Sequence, residues 1–171
     1  MIKTLTAVGP NLGPDWNNNQ PEHIIIHHSA TFNGDVNSFD RYHRLQKGWV
    51  AVGYHYVIDK KGNIQLGRME TTSGAHSVGW NNNSIGICLV GHFDYEIPTD
   101  EQLIPASSLA TNLCQRYGIT SLRVISHKQS NIKRCGKPLK TCPGNNFPMN
   151  YLTSLVSKNM YKGIIYQLEV I

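Results

Sequence analysis

A chain of 171 residues, 40% of them hydrophobic and 16% charged, has the size of one ordinary domain and enough apolar content to bury a core, which excludes intrinsic disorder. Sixteen Lys and Arg against eleven Asp and Glu leave a formal net charge of +5, which favours an anionic partner such as nucleic acid, an acidic cell-wall polymer or a membrane surface. No stretch approaches the roughly 18 uninterrupted apolar residues of a membrane span, and Met1 to Gln20 holds no apolar run of signal-peptide length, so synthesis in the cytoplasm without membrane insertion is expected.

Residues 1–22, rich in Pro, Gly and Asn with Trp16 as their one large anchor, read as an irregular N-terminal arm. His23 to Ser29 carries Ile24, Ile25 and Ile26 in succession, the pattern of a central strand buried on both faces. Asp35 stands as an N-cap ahead of Val36, Phe39 and Tyr42 at helical spacing, and Gly48 closes that first helix. Tyr54 to Asp59 and Asn63 to Arg68 flank Lys60-Lys61-Gly62 as an antiparallel hairpin, with Tyr54, Tyr56 and Ile58 expected on one face. Gly74 to Asn83 reads as a loop leading into the apolar strand Ser84 to Val90. Thr99 and Gln102 have capping-box spacing for a second helix that ends at Gly118, with Pro105 expected to bend it or delay its start. Ser121 to Ser126 reads as the last core strand, His127 to Pro143 as a polar loop, and Pro148 to Lys158 as a third helix. The expected fold is a single α/β domain over residues 23–160, a mixed central sheet flanked by helices. Residues 161–171 then form a tail packed on or extending it, with Gly163 to Ile171 as an added edge strand.

Four cysteines would permit three disulfide pairings, but a chain without an export signal keeps its thiols reduced or on metal, so no structural disulfide is expected. Eight histidines is a high count for this length and directs attention to metal or acid–base chemistry. The chemically loaded groups are the pair His27-His28 at the end of the first strand, His127 at the end of the last, and Cys142 with Lys140 in the following loop. Adjacent strand residues face opposite ways, so only one of His27 and His28 can join a site on a given face, and the pattern leaves open which. Two histidines and a cysteine make a three-ligand zinc set with the fourth position left to water, although each residue taken alone reads more readily as core. Cys88 and Cys114 read as core, and Cys135 as a loop thiol.

The motifs also have a familiar order. Ile26-His27-His28-Ser29-Ala30-Thr31, Gly48-Trp49, Val52-Gly53-Tyr54-His55-Tyr56 and Gly67-Arg68 are followed by Gly74-Ala75-His76, Gly79, Asn81 and Ser84-Ile85-Gly86-Ile87, then by Ser126-His127 and Lys140-Thr141-Cys142-Pro143. In this the chain resembles the zinc-dependent N-acetylmuramoyl-L-alanine amidases of the type 2 class, which include short phage lysozymes and the peptidoglycan recognition proteins. The resemblance covers about residues 23–155.

It implies Zn2+ held by His27, His127 and Cys142, with Tyr54 and Lys140 assisting the attacking water and the developing oxyanion. Receptor-type relatives that bind the wall without cutting it typically lack the cysteine, so Cys142 points to an active enzyme. The implied reaction is cleavage of the amide between N-acetylmuramic acid and L-alanine by a phage or prophage endolysin, a monomer made in the cytoplasm and acting on the cell wall. Peptidoglycan is then the partner rather than nucleic acid. Five residues are expected at the substrate, each with a structural alternative: His76 and Asn81 line the groove or shape a loop, Trp80 stacks on sugar or covers the core edge, His55 touches substrate or supports the site, and Arg68 meets a peptide carboxylate or ends the hairpin. Lys128, Lys133, Arg134 and Lys137 are either a solvated face or a basic rim toward an anionic wall. The alternative readings are a non-catalytic peptidoglycan-binding module, and a dual-function protein that also inhibits RNA polymerase, as some phage members of the family do, through residues 1–22 or the tail.

Overall fold

The first strand, β1 (His23–His28), fills the middle of the sheet as its isoleucine run requires, parallel to β4 (Ser84–Leu89) on one side and to β5 (Val124–Ser126) on the other. A computed structural model describes residues 18–168, with side chains through residue 162. The hairpin strands β2 (Tyr56–Ile58) and β3 (Ile64–Leu66) complete the order β3-β2-β4-β1-β5, in which β2 runs parallel to β4 and antiparallel to β3. The chain is therefore a mixed α/β domain with its helices packed on a five-stranded sheet.

Strand alternation divides the core between the two faces. Ile24, Ile26, Ile58, Ile85, Ile87 and Leu89 pack beneath α2 (Asp100–Tyr117) and α4 (Met149–Leu168), where they meet Leu103, Leu113, Leu152 and Val156. Val57, Cys88 and Val90 face the other way, against Val36 and Phe39 of α1 (Val36–Lys47) and against Val52. Each such buried aliphatic side chain contributes about 1.5–3 kcal/mol relative to exposure. The larger cluster anchors the sheet, and the smaller face is left open enough to carry a site.

Helix α1 begins and ends where its caps dictate: Asp35 and Ser38 form a reciprocal capping box, and Gly48 adopts the left-handed conformation at the C-terminus. Elsewhere the structure departs from expectation. Thr99 makes no side-chain cap and no capping box forms with Gln102, because the buried Gln102 amide donates instead to the Val90 carbonyl at the end of β4 (2.9 Å). Pro105 does not delay α2, which starts at Asp100. Proline removes the N–H that would have met the Glu101 carbonyl. The hairpin glycine Gly62 packs on that same carbonyl, so closely that a Cβ there would collide with it.

The segment 121–126 is only half strand. Ser121–Arg123 forms a 3-10 turn that leaves Leu122 86% exposed, and β5 follows. The polar stretch after it opens as a helix, α3 (His127–Cys135), with Ser126 and Gln129 making the capping box that Thr99 and Gln102 do not. Helix α4 continues past residue 158 to Leu168, carried by Met160 packing on the core, so the expected edge strand over 163–168 is helical. Residues 169–171 lie outside the described residues, as do residues 1–17 of the expected arm with Trp16. The described end of that arm is anchored: Asn19 Nδ2 donates to the Glu70 and Ser84 carbonyls, at 2.8 and 3.0 Å.

Candidate metal and active site

His27 is the penultimate residue of β1, paired in register with Cys88 and 1% exposed. Alternation turns it to the open face, and turns His28 to the other. His127 is the first residue of α3, delivered beside β1 because β5 pairs there, with its ring centroid 4.6 Å from that of His27. Cys142 approaches from the segment after α3, its sulfur 3.7 Å from His27 Nδ1. One donor atom from each of His27, His127 and Cys142 lies within 4.8 Å of the other two.

The opposite nitrogen of His27, Nε2, is 3.0 Å from His76 Nδ1. With Nδ1 turned to Cys142, Nε2 carries the proton and donates to His76, an arrangement that fixes both the tautomer and the ring plane of His27. His76 is itself held by Asn81, whose Oδ1 accepts from the backbone N–H groups of His76 and Ser77 at 2.9 Å each. Its ring lies over Gly86 of β4, where a Cβ would stand 2.7 Å from it. A glycine is required there for close approach.

Burial first, then the positive neighbours His76, His127, His28 and Lys140, holds the pKa of His27 well below the usual imidazole range. His127 is lowered to about 4 by burial and Lys140, whereas burial pushes the Cys142 thiol up to about 12 against the opposing pull of the His28 N–H and Lys140. Both imidazoles are thus neutral and ready to ligate, and the thiol needs a cation before it sheds its proton. Two neutral imidazoles and a thiol, buried and converging, suit a borderline-soft divalent cation.

The site opens into a cavity of about 230 Å³ whose walls include Tyr54 and the exposed Lys140. Tyr54 was expected on the face of Tyr56 and Ile58, yet it packs with Val57 and Cys88 on the other, because the extended strand begins only at Tyr56. That shift sets its ring 5.3 Å from His27. Burial, then the Cys88 and Cys142 thiols, raises its hydroxyl pKa well above 10, so it remains a proton donor.

Of the five residues expected at the substrate, only His76 lines this cavity. His55 is fully buried beneath it, Nδ1 accepting from the Gly86 N–H and Nε2 donating to the Thr72 carbonyl. Arg68, 2% exposed, donates to the carbonyls of Val52 (2.7 Å) and Ser73 (2.6 Å) and clamps two segments of the site wall together. Asn81 shapes the His76 loop, and Trp80 donates to the Ser130 carbonyl at 3.2 Å. Other wall residues escaped sequence reading. His43 stacks on Trp49 (4.6 Å, 29°) and accepts from the Gly53 N–H, and a groove of about 690 Å³ along Ser29 to Gly34, Tyr42 and His43 adjoins the cavity through Tyr54. The signal for His43 was its place on the inner stripe of α1, shared with Val36, Phe39 and Asp40.

On this mixed sheet two histidines and a cysteine come together beside a tyrosine and a lysine, a donor set that could hold a metal ion. The family is defined by sequence: the model of the N-acetylmuramoyl-L-alanine amidase family Amidase_2 matches residues 17–145, and the chain belongs to that family. It is 38% identical over 122 residues to the endolysin of Enterobacteria phage T3, covering 67% of this chain and 79% of that one. Among solved structures it is similar to the N-acetylmuramoyl-L-alanine amidase LysC from Clostridium intestinale URNW, with a TM-score of 0.73, 32% identity and coverage of 88% of this chain and 97% of that chain. It also resembles peptidoglycan recognition protein LE in complex with tracheal cytotoxin, a monomeric diaminopimelic acid-type peptidoglycan (TM-score 0.70, 26% identity, 86% of this chain and 88% of that one). The chain is a peptidoglycan amidase.

Proposed function

We propose that this amidase is a zinc enzyme that cleaves the bond between N-acetylmuramic acid and L-alanine, and that it acts as an endolysin. The convergence of donor atoms from His27, His127 and Cys142 within 4.8 Å carries this reading, since three separate parts of the chain meet there. When bound, zinc supplies a Lewis acid that makes water nucleophilic near neutral pH and polarises a carbonyl. The chain's own residues do the remainder. His76 holds the His27 ring in its ligating orientation through the Nε2–H bond. The neutral Tyr54 hydroxyl donates to the scissile carbonyl oxygen as that oxygen gains charge, and the Lys140 ammonium at the rim complements the same charge. His55, Arg68, Trp80 and Asn81 serve as framework, holding the walls and the His76 loop in place.

A net charge of +5 suits a polymer rich in carboxylates, and the phage endolysin relative supports action on the cell wall. Among the described residues no helix is long and apolar enough to cross a membrane. The test is zinc content and clearing of purified cell walls for the wild type and Cys142→Ala. One bound zinc and clearing in the wild type, with both lost in the variant, is expected. Full metal and full clearing in Cys142→Ala would remove Cys142 from the site.

A further inference from the structure

We propose that Asp94, in the loop between β4 and α2, is the positioning residue that sets the Cys142 thiol against His27. Its carboxylate brackets the cysteine in sequence: Oδ2 accepts from Thr141 Oγ1 immediately before Cys142, and Oδ1 from the Asn145 N–H three residues after it, at 2.8 Å each. The backbone of the same loop adds to the grip. The Asn146 N–H donates to the Phe93 carbonyl (2.8 Å), the Asn146 amide donates to the Asp94 carbonyl (3.2 Å), and Gly144 packs so tightly on the Phe93 backbone that a Cβ would collide there.

The loop is tied to the first ligand strand as well. The Phe93 N–H donates to His28 Nδ1 at 3.2 Å, so the residue beside His27 and the residues beside Cys142 are joined through Phe93 and Asp94. The separation of two ligands that lie 115 residues apart is thereby held by one short loop. From the other side the Lys128 N–H is bonded to the Cys142 carbonyl at 2.8 Å, and the His28 N–H reaches the thiol itself.

His28, His92 and Asp94 also converge within 4.8 Å, which raises the question of a second metal centre. The hydrogen bonds exclude it. Because His28 Nδ1 accepts from Phe93, its Nε2 carries the proton of the neutral ring and has no lone pair to offer a metal. Each Asp94 oxygen, meanwhile, accepts one hydrogen bond from the cysteine segment.

The proposal rests on the zinc reading, and the experiment separates the two. Asp94→Ala, Asp94→Asn, Thr141→Val and the control His92→Ala are compared with the wild type by zinc competition against a chromophoric chelator. The thiolate-to-metal charge-transfer absorption of the cobalt(II)-substituted proteins and the thermal unfolding of the metal-free proteins are measured alongside. Loss of a partner that orients a ligand weakens metal binding about 10- to 100-fold. Asp94→Ala is expected in that range, with a weakened charge-transfer band. Thr141→Val, which removes one of the two bonds, is expected to lose about 3- to 10-fold, half of the full effect on a free-energy scale. Asp94→Asn can keep both bonds, because the Thr141 hydroxyl turns to accept from the new amide, and stays within about threefold of wild type by the same comparison. His92→Ala is unchanged. Wild-type zinc affinity and an unaltered band in both Asp94→Ala and Thr141→Val, with only metal-free stability reduced, would overturn the positioning role. If Asp94→Ala does not fold, Thr141→Val decides alone. A wild type that binds no metal refutes the zinc reading, and the positioning role falls with it.

Discussion

Gly86→Ala puts one methyl group where the site has no room for it. The Cβ would stand 2.7 Å from the His76 ring, several tenths of an ångström inside an ordinary carbon contact of about 3.5 Å. The strand cannot retreat: the Gly86 N–H donates to His55 Nδ1 at 2.9 Å, the Gly86 carbonyl accepts from the His55 N–H at 3.0 Å, and Gly86 pairs with Ile25 in the middle of the sheet. His76 must therefore yield, and moving it breaks the 3.0 Å bond to His27 Nε2. Overpacking of this kind costs about 1–3 kcal/mol. Loss of the partner that orients a ligating imidazole lowers metal affinity about 10- to 100-fold. Denaturant unfolding of the metal-free protein reads the first effect, and zinc competition with a chelator reads the second. A Gly86→Ala protein within 0.5 kcal/mol of wild type (taken as about the usual effect of a neutral surface change), and with unchanged zinc affinity, would refute the account of His76.

Three further outcomes are expected. Tyr54→Phe keeps the ring packing but loses the donor, so kcat on a soluble muramoyl peptide falls about 10²- to 10³-fold with zinc content unchanged; an unaltered kcat would remove the hydroxyl from the reaction. Lys140→Ala, at the exposed rim, is expected to bind zinc normally and to lose about tenfold in kcat, at the modest end of such electrostatic effects, with a steady-state comparison at low and high salt as the check. Glu70 supplies the pH dependence: burial opposes its charge, but hydrogen bonds from Tyr117, Tyr56 and Arg116 prevail and hold its pKa below the ordinary 4.5. A depressed carboxylate pKa contributes stability that is present above 4.5 and lost as pH falls through the folded value. Glu70→Gln should therefore unfold more easily than wild type at neutral pH, by about 1 kcal/mol after allowance for its exposure, and the gap should close in acid; a gap that widens in acid would contradict this.

Much of the frame was legible because local chemistry and tertiary need agree. The Ile24–Ile26 run could only be a doubly covered strand, and Asp35 and Gly48 marked the ends of α1 correctly. The departures arise where a distant partner decides. Gln102 abandons the capping role its spacing suggested because the Val90 carbonyl needs a donor. Helix α3 was hidden because its nine residues hold a single large aliphatic, Ile132, which is exposed, so no apolar stripe announced it and only the Ser126–Gln129 box remained as a sign. Tyr54 changed faces because strand alternation applies only inside a strand, and β2 starts two residues later.

The site was legible in a different way. Alternation stated that His27 and His28 must part, but the choice of face depends on which side α1 covers, and that is a property of the assembled sheet. The support of His27 by His76 needed Gly86 beneath the ring, a contact between positions with no local pattern to connect them. The groove along Ser29 to Gly34 is a loop wall, and loop walls have no periodicity to read.

The most direct test of the whole account is to identify the bond that is cut, and whether cutting depends on metal. Purified peptidoglycan digested with the protein, with the chelator-stripped protein and with the stripped protein resupplied with zinc would be assayed by mass spectrometry for stem peptides with a free L-alanine amino terminus. Such termini, matched by peptide-free muramic acid, are expected with the native and zinc-resupplied protein and none with the stripped protein. New reducing sugar ends without free alanine termini, or undiminished release from fully stripped protein, would contradict the zinc amidase reading.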